Sequence, residues 1–531
     1  MKGLVGTSRL IRFTLRRERV RLSVWLLVLT LVPVQTANAF KALYPTEASR
    51  ELLVNTVGAN PAFAALLGPI FGTSIGAVTM WRVGVIGALL VGLMAVLTVI
   101  RHTREEEETG RRELLGATVV GRHAPLAAAL AVTVGAGLLL GLMLIAGFIG
   151  IGLDAEGAVA FGLGFAATAM AFAAVAGVAA QLTDGAGAAR GIAIAAVGAA
   201  FVLRMLGDGG GLPFASWLSP IGWFTQLRPF ASSGERWWVL ILPVTFALAL
   251  GSVGYLLSAR RDVGAGALPP RPGPAQAAPS LGSPFGLAVR LQRGSLLGWS
   301  LGLAALGVVY GSVGDSIGDL LTDSPELAEI FELLGGEQGI TDAYFAAAMA
   351  ILATIASAYA IRAALRLRVE EEGLLSEPVL ATAVPRPRWA WSHLFFAFVG
   401  PILILAIAGL GAGLTYGAIV GDLGGEMPDV LGAALIQIPA VWVVAGVATA
   451  LYGLLPRLTS ISWGVLVACL VFGQLGEILQ FPQWLLNLSP FTHVPDVPVE
   501  EFSVLPLLWL TAVAALLVVV GLAGFRRRDI G

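Results

Sequence analysis

About twelve stretches of this chain run for roughly 20 residues almost without charge, the length of helix that crosses the ~30 Å hydrocarbon core of a bilayer. They lie near 22–40, 77–100, 124–150, 157–180, 188–206 and 237–258, and again near 296–312, 343–364, 391–413, 429–455, 460–480 and 503–525. Those within 157–201 are rich in Ala and Gly and so only weakly apolar. Charged residues make up 13% of the chain and hydrophobic residues 57%. A soluble chain carries roughly 25% charged residues, and half of that cannot cover a water-soluble body of this size. The fold expected is an all-α polytopic membrane protein of about twelve transmembrane helices.

Several function classes drop out. The formal net charge of −1 gives no basic field for nucleic acid. One cysteine, Cys469, excludes a disulfide framework or a thiolate metal cluster within the chain. Lysine occurs only at Lys2 and Lys41, neither in the Gly-Lys-Ser/Thr setting that a phosphate-binding loop requires, so no standard ATPase site is present. Gly72–Gly76 and Gly314–Gly318 have the Gly-x-Ser-x-Gly spacing, but 67 glycines make such matches cheap, and the strand-turn-helix that a nucleophile elbow needs is missing. The four histidines are far apart. Neither catalysis nor a bound cofactor or metal is expected in this chain.

Arginine and lysine set the orientation. Residues 1–21, the loops 101–123, 259–293 and 362–390, the tail 526–528, Arg190 and Arg457 hold 27 of the 33 basic residues, all on one side of the assigned spans. Both termini are therefore expected in the cytoplasm. The basic start, the apolar run Val24–Val34 and Ala37-Asn38-Ala39 resemble a cleavable signal peptide, but an internal repeat includes this segment and favours a retained span. The outer segment 313–342 is acid-only, the ordinary asymmetry of an outside loop.

The two halves share a ladder of motifs. Arg16, Arg19 and Trp25 recur as Arg290, Arg293 and Trp299. Glu113, Ala117, Thr118, Val120 and Arg122 recur as Glu377, Ala381, Thr382, Val384 and Arg386, each set preceded by an acidic run. Leu218-Ser219-Pro220 recurs as Leu488-Ser489-Pro490, and Arg260-Arg261-Asp262 as Arg527-Arg528-Asp529. The offsets are 274, 264, 270 and 267, all close to half the chain. Two repeats of six spans, 1–263 and 285–531, enter the membrane in one orientation and are therefore parallel, with a pseudo-twofold along the membrane normal. Residues 264–284, rich in Pro, Gly and Ala, read as an extended cytoplasmic linker.

This order of features, an Arg-rich opening, a charged loop after the second span, an outer Leu-Ser-Pro segment before the sixth and a closing Arg-Arg-Asp, resembles the permease subunits of type 2 ABC exporters. The nearest likeness is to the fused twelve-span permeases of actinobacterial polyketide-antibiotic (tetronasin-like) exporters. The resemblance implies an ATP-driven exporter of amphipathic or lipophilic compounds in the bacterial cell membrane. ATP and Mg would be bound by a separate ABC ATPase subunit, in two copies per permease. It also implies short re-entrant helices at the Leu-Ser-Pro regions.

Two charged segments are the candidate contacts with that ATPase: Arg104, Glu105, Glu106, Glu107, Arg111, Arg112, Glu113 and Leu114 in the first half, and Glu370, Glu371, Glu372 and Glu377 in the second. Arg104–Glu108, Glu107–Arg111 and Glu108–Arg112 are expected as i,i+4 pairs. An amphipathic segment bearing Arg12, Arg16 and Arg19 is expected along the inner surface, at anionic headgroups. Arg82, Arg204 and Glu477 fall near outer span ends, where snorkelling explains them. Arg204 and Glu477 facing one another would make an outer gate. Trp81, Phe201, Trp463 and Phe472 are the candidates for a substrate path. The competing reading is a proton-coupled secondary transporter of two six-helix halves, which needs buried carboxylates or histidines near the midplane.

Overall fold

The computed structural model describes residues 2–58, 61–112, 119–262, 264–268, 273–322, 336–476, 481–495, 497 and 502–528. All regular structure among them is helical, and eleven helices are long and apolar enough to cross a membrane. The chain divides into two compact units, Met1–Gly273 and Pro274–Gly531.

In the first unit the spans are Thr7–Leu43, Val85–Arg101, Ala124–Gly150, Ala155–Leu182, Ala186–Asp208 and Ile241–Arg260. The second span is entered through Ile75–Thr79 and a π-helical turn, Met80–Gly84. The fourth span, the Ala/Gly-rich one, is the most deeply packed and touches the second, third, fifth and sixth. Its small residues explain this. Lipid supplies no hydrophobic drive between helices, so association rests on close backbone approach and van der Waals contact. Gly141 and Gly162 face each other so tightly that a Cβ on either would sit within 2.6 Å of the other's carbonyl oxygen. Weak apolarity here signals helix packing, not a poor span.

Phenylalanines fill what the small residues leave. The Phe161 ring lies 5.1 Å from Phe148, 4.7 Å from Phe165 and 5.4 Å from Phe224. Phe230, from the segment beyond the Leu-Ser-Pro motif, adopts φ 61° and wedges its ring where a Cβ on Gly76 or Gly157 would stand. The motif links two short helices, Pro213–Trp217 and Pro220–Leu227. Ser219 Oγ accepts from the Ile221 and Gly222 amides and donates to the Ala200 carbonyl at 2.6 Å. One hydroxyl thus caps a helix and ties it to the fifth span.

The second unit holds Pro284–Thr322, Gly336–Ala364, Arg386–Val420, the pair Leu423–Leu435 and Ile438–Leu454, and Val504–Arg527. The stretch expected to span near 460–480 is a helix of 15 residues, Ile461–Leu475. Residues 477–480 of that stretch lie outside the described residues, among which eleven candidate spans are found where twelve were expected. In this half Ser489 Oγ accepts from the Phe491 amide and caps only a single turn, Pro490–His493.

The basic N-terminal segment is continuous with the first span. Thr7–Leu43 is one helix of 37 residues, with Arg12, Arg16 and Arg19 exposed along its start.

The phenylalanine cluster should behave as the keystone of the first unit. Phe161→Ala is expected to cost about 3 kcal/mol through the cavity it leaves, with Phe161→Leu losing less than half as much. Thermal unfolding of the detergent-solubilised protein reads both.

Candidate functional site: a charge clasp at the arginine-rich span ends

Beyond the second span the chain turns at His102 and Thr103, makes one short helix, Arg104–Glu108, and bends at Gly110, whose φ of +71° suits glycine. This bend ends the helix too early for the expected Glu107–Arg111 and Glu108–Arg112 pairs, and Arg104 turns to Glu107 instead of Glu108. The four carboxylates reach elsewhere. Glu105 pairs with Arg190 of the fifth span at 2.9 Å. Glu106 binds Arg17 of the first span, with Arg111 at 3.7 Å. Glu108 accepts from the Ala186 amide at 2.9 Å, where an anion is favoured by the fifth helix's N-terminus.

Glu107 is the centre. Its side chain is 1% exposed and receives Arg104, Arg112 and Arg261. Arg261 donates through both terminal nitrogens, at 2.8 and 2.7 Å, the bidentate fork that suits a carboxylate, and its Nε donates to Gln181 Oε1 at 2.7 Å. Burial, followed by the neighbouring Arg261, Arg104 and Arg122, pushes Arg112 down to about 10, which leaves it charged at neutral pH. Arg122, just before the third span, donates to the Ser258 carbonyl at 2.9 Å and to the Arg261 carbonyl at 2.5 Å. Glu18 of the first span, itself buried, meets Arg101 and His102 at 3.1 Å.

The second unit repeats the wiring with different surroundings. Arg528 binds Glu371, which also accepts from Tyr452 Oη at 2.8 Å. The Arg528 guanidinium lies 4.6 Å from the Tyr452 ring centroid, a cation–π contact. Arg386 donates to the Arg528 carbonyl at 3.1 Å. Glu370 and Glu372 make i,i+4 pairs with Arg366 and Arg368, the kind of pair expected of the first half. Glu377 is exposed.

Motifs recognised separately in the sequence therefore bind one another. In each half the second arginine of Arg-Arg-Asp grips a glutamate of the acidic run, and the ladder arginine (Arg122 or Arg386) holds that arginine's carbonyl. Arg17, Arg190, Gln181 and Tyr452 were missed, because their partners are distant in sequence. The near-equal offsets of the ladder, 264, and of Arg-Arg-Asp, 267, were the one signal that those motifs belong together. Glu113 and Leu114 lie outside the described residues.

The family model for the multidrug efflux system permease Rv1217c, C-terminal domain, matches residues 10–257 and 281–526. This chain belongs to that permease family. It is 45% identical over 530 residues to the multidrug efflux system permease protein Rv1217c of Mycobacterium tuberculosis (strain ATCC 25618 / H37Rv), an alignment covering 99% of this chain and 96% of the relative.

The other candidates in this family member resolve into packing and surface. Arg204 does not snorkel: its side chain is fully buried, pairs with Asp208 at 3.7 Å, donates to the Ala64 and Leu66 carbonyls at 3.2 Å and covers the Phe201 ring at 4.8 Å. Glu477, its suggested gate partner, lies outside the described residues, while Arg82 is exposed on the π-helical turn. Trp81 is buried with Phe63, Phe40 and Leu67. Trp463 is 42% exposed, and Phe472 meets Phe481 edge-on at 6.0 Å. In the first unit Trp81 and Phe201 are thus occupied by neighbours.

The two clasps differ in burial, since the side chains of Glu371 and Arg528 are each 17% exposed. Stripping an arginine from a buried carboxylate costs far more than from a wetted one. Arg261→Ala should therefore destabilise by about 3 kcal/mol and Arg528→Ala by about 1 kcal/mol, compared by thermal unfolding. Equal losses would contradict the difference in burial.

Proposed function

We propose that this chain is the membrane permease of an efflux system, moving amphipathic or lipophilic compounds out of the cell with energy from a separate ATPase. The observation that carries this reading is the duplicated clasp. A loop salt-bridged to span ends on several sides moves only with them, so a push on that loop reaches the helices directly. Two such segments, one per half, suit a pair of ATPase subunits, each closing on ATP and Mg.

In this scheme the halves are parallel repeats joined by residues 264–284, and the family match skips 258–280, within which most of that linker falls. The arginine-rich ends and both termini face the cytoplasm, and Arg12, Arg16 and Arg19 meet anionic headgroups. The efflux named for the relative and the apolar character of the spans support a lipophilic substrate, with a type 2 ABC arrangement as the mechanism. A polyketide antibiotic is the substrate class suggested by the sequence resemblance.

Proton-coupled transport is the second reading, favoured by one feature: Asp208, buried beside Arg204 and accepting from Ser216 Oγ at 2.6 Å. That carboxylate closes the fifth span at its end and already has its counter-ion, which suits a structural lock better than a midplane relay.

Purification of the tagged chain from native membranes in mild detergent tests the proposal. A P-loop ATPase should co-purify at about two per chain, and substrate efflux from reconstituted vesicles should require ATP. A chain that purifies alone and moves substrate on a proton gradient would establish the second reading instead.

A further inference from the structure

At the end of the first unit opposite the clasp, two arginines stand together with no acid to meet them. Pro220–Leu227 closes at Arg228, and after a tight loop the Arg236 amide donates back to the Leu227 carbonyl at 3.0 Å, which brings the two residues side by side. The Arg228 guanidinium lies 4.8 Å from the Phe71 ring centroid, and its Nε is buried without an acceptor. Arg236 reaches Gln226 Oε1 at 3.4 Å. Elsewhere in this unit Arg104, Arg112 and Arg261 share Glu107, and Arg204 has Asp208. Among the described residues no carboxylate comes within ion-pair distance of Arg228 or Arg236. Glu235, between them in sequence, accepts from the Phe230 amide at 3.2 Å and sits near Glu156 and Asp154. Burial, followed by the charge of Arg236, pushes Arg228 down from the ordinary arginine range, and no anion counters it.

The backbone adds to the cost. Among the described residues, the non-glycine residues with left-handed φ are Arg228, Phe230 and Leu374. Phe230 is buried in the phenylalanine cluster, and Leu374, just beyond the short helix Arg366–Glu372, is exposed. Arg228 has φ 57° and ψ 56° and precedes Pro229, whose ring favours extended backbone in the residue before it. A cation on strained backbone beside a like charge lowers the stability of the fold. The described chain supplies no anion to offset that.

The surroundings indicate the source of the anion. Trp237 and Trp238 follow Arg236 directly, and Trp238, 55% exposed, stacks on Trp217 at 5.4 Å and 11°. Phe214 and Leu218 extend the apolar rim, at 63% and 62% exposure. Aromatic rings gather where a helix bundle leaves the hydrocarbon and meets the headgroups, the depth at which lipid phosphates lie. We propose that Arg228 and Arg236 hold the phosphate of an anionic phospholipid, with Trp238 and Phe214 against its acyl chains. Guanidinium groups present forked N–H donors that match phosphate oxygens, and one bound anion offsets the repulsion between the two arginines. In the orientation proposed above this lipid belongs to the outer leaflet. The site does not depend on what energises the permease.

The arginine-rich span ends also attract anionic lipid, so the test needs a local readout, hydrogen exchange of the full chain in detergent. Short-chain phosphatidylglycerol should slow the amides of 231–239 at least threefold, and phosphatidylcholine of the same chain length should slow them less than half as much. The double variant Arg228→Asn/Arg236→Gln should lose the phosphatidylglycerol effect. Asparagine tolerates the left-handed region and a like-charge pair is removed, so without lipid this variant should melt within about 2 °C of wild type. Phosphatidylglycerol that slows nothing, or protects the variant as well as wild type, overturns the site. Equal protection by phosphatidylcholine overturns the choice of an anionic headgroup. Equal protection by inorganic phosphate overturns the lipid and assigns the pair to a free anion. Should the double variant melt lower, Arg236→Gln alone takes its place and should lose at least half of the protection, full retention again overturning the site.

Discussion

A carboxylate taken out of water has to be met by charge and hydrogen bonds, or the fold around it fails. Glu107 is that carboxylate here. Its three arginines come from its own hairpin and from the end of the sixth span, so the second and sixth spans must finish side by side. Gln181 joins the fourth span to the same group through Arg261, while Glu105 and Glu108 bring in the fifth and Glu106 the first. A membrane bundle held only by lipid-like side chains has little to fix which end of one helix meets which end of another. This group supplies that register, and it makes the loop a rigid extension of the helices.

Within the bilayer region the order comes from size rather than polarity. Leucine is no more at home against leucine than against a lipid tail, so the fourth span earns its central place with glycine and alanine, which let neighbouring backbones close in. Phenylalanines then occupy the remaining volume, and Phe230 reaches that cluster from the segment beyond Leu218-Ser219-Pro220 by accepting an unfavourable backbone angle. Strain appears at Phe230 with burial as its return, and at Leu374 with exposure. The contrast separates a structural use of a left-handed residue from one that faces outward.

The halves are wired alike but not identically. Where the first half buries a glutamate among three guanidiniums, the second shares one arginine between Glu371 and two aromatic rings and leaves the pair partly wet. Each half need only satisfy its own charges. Membership of the permease family places this asymmetry in a membrane permease.

Much of the architecture was legible along the chain. Apolar run length specified helical spans, and the spacing of repeated motifs located the charged segments, because a membrane helix must satisfy its backbone within itself and its length follows from bilayer thickness. Hydropathy marked Ala155–Leu182 as a span but not its central place, since it scores affinity for lipid and is blind to helix contact. The partners of Glu105, Glu106 and Glu107, the enclosure of Arg204 and the seating of Gly264–Leu268 against the Gln181 and Leu182 carbonyls could be settled only by tertiary structure. Charge in a sequence shows that a counter-ion is needed, and only the packing of distant segments decides which one arrives.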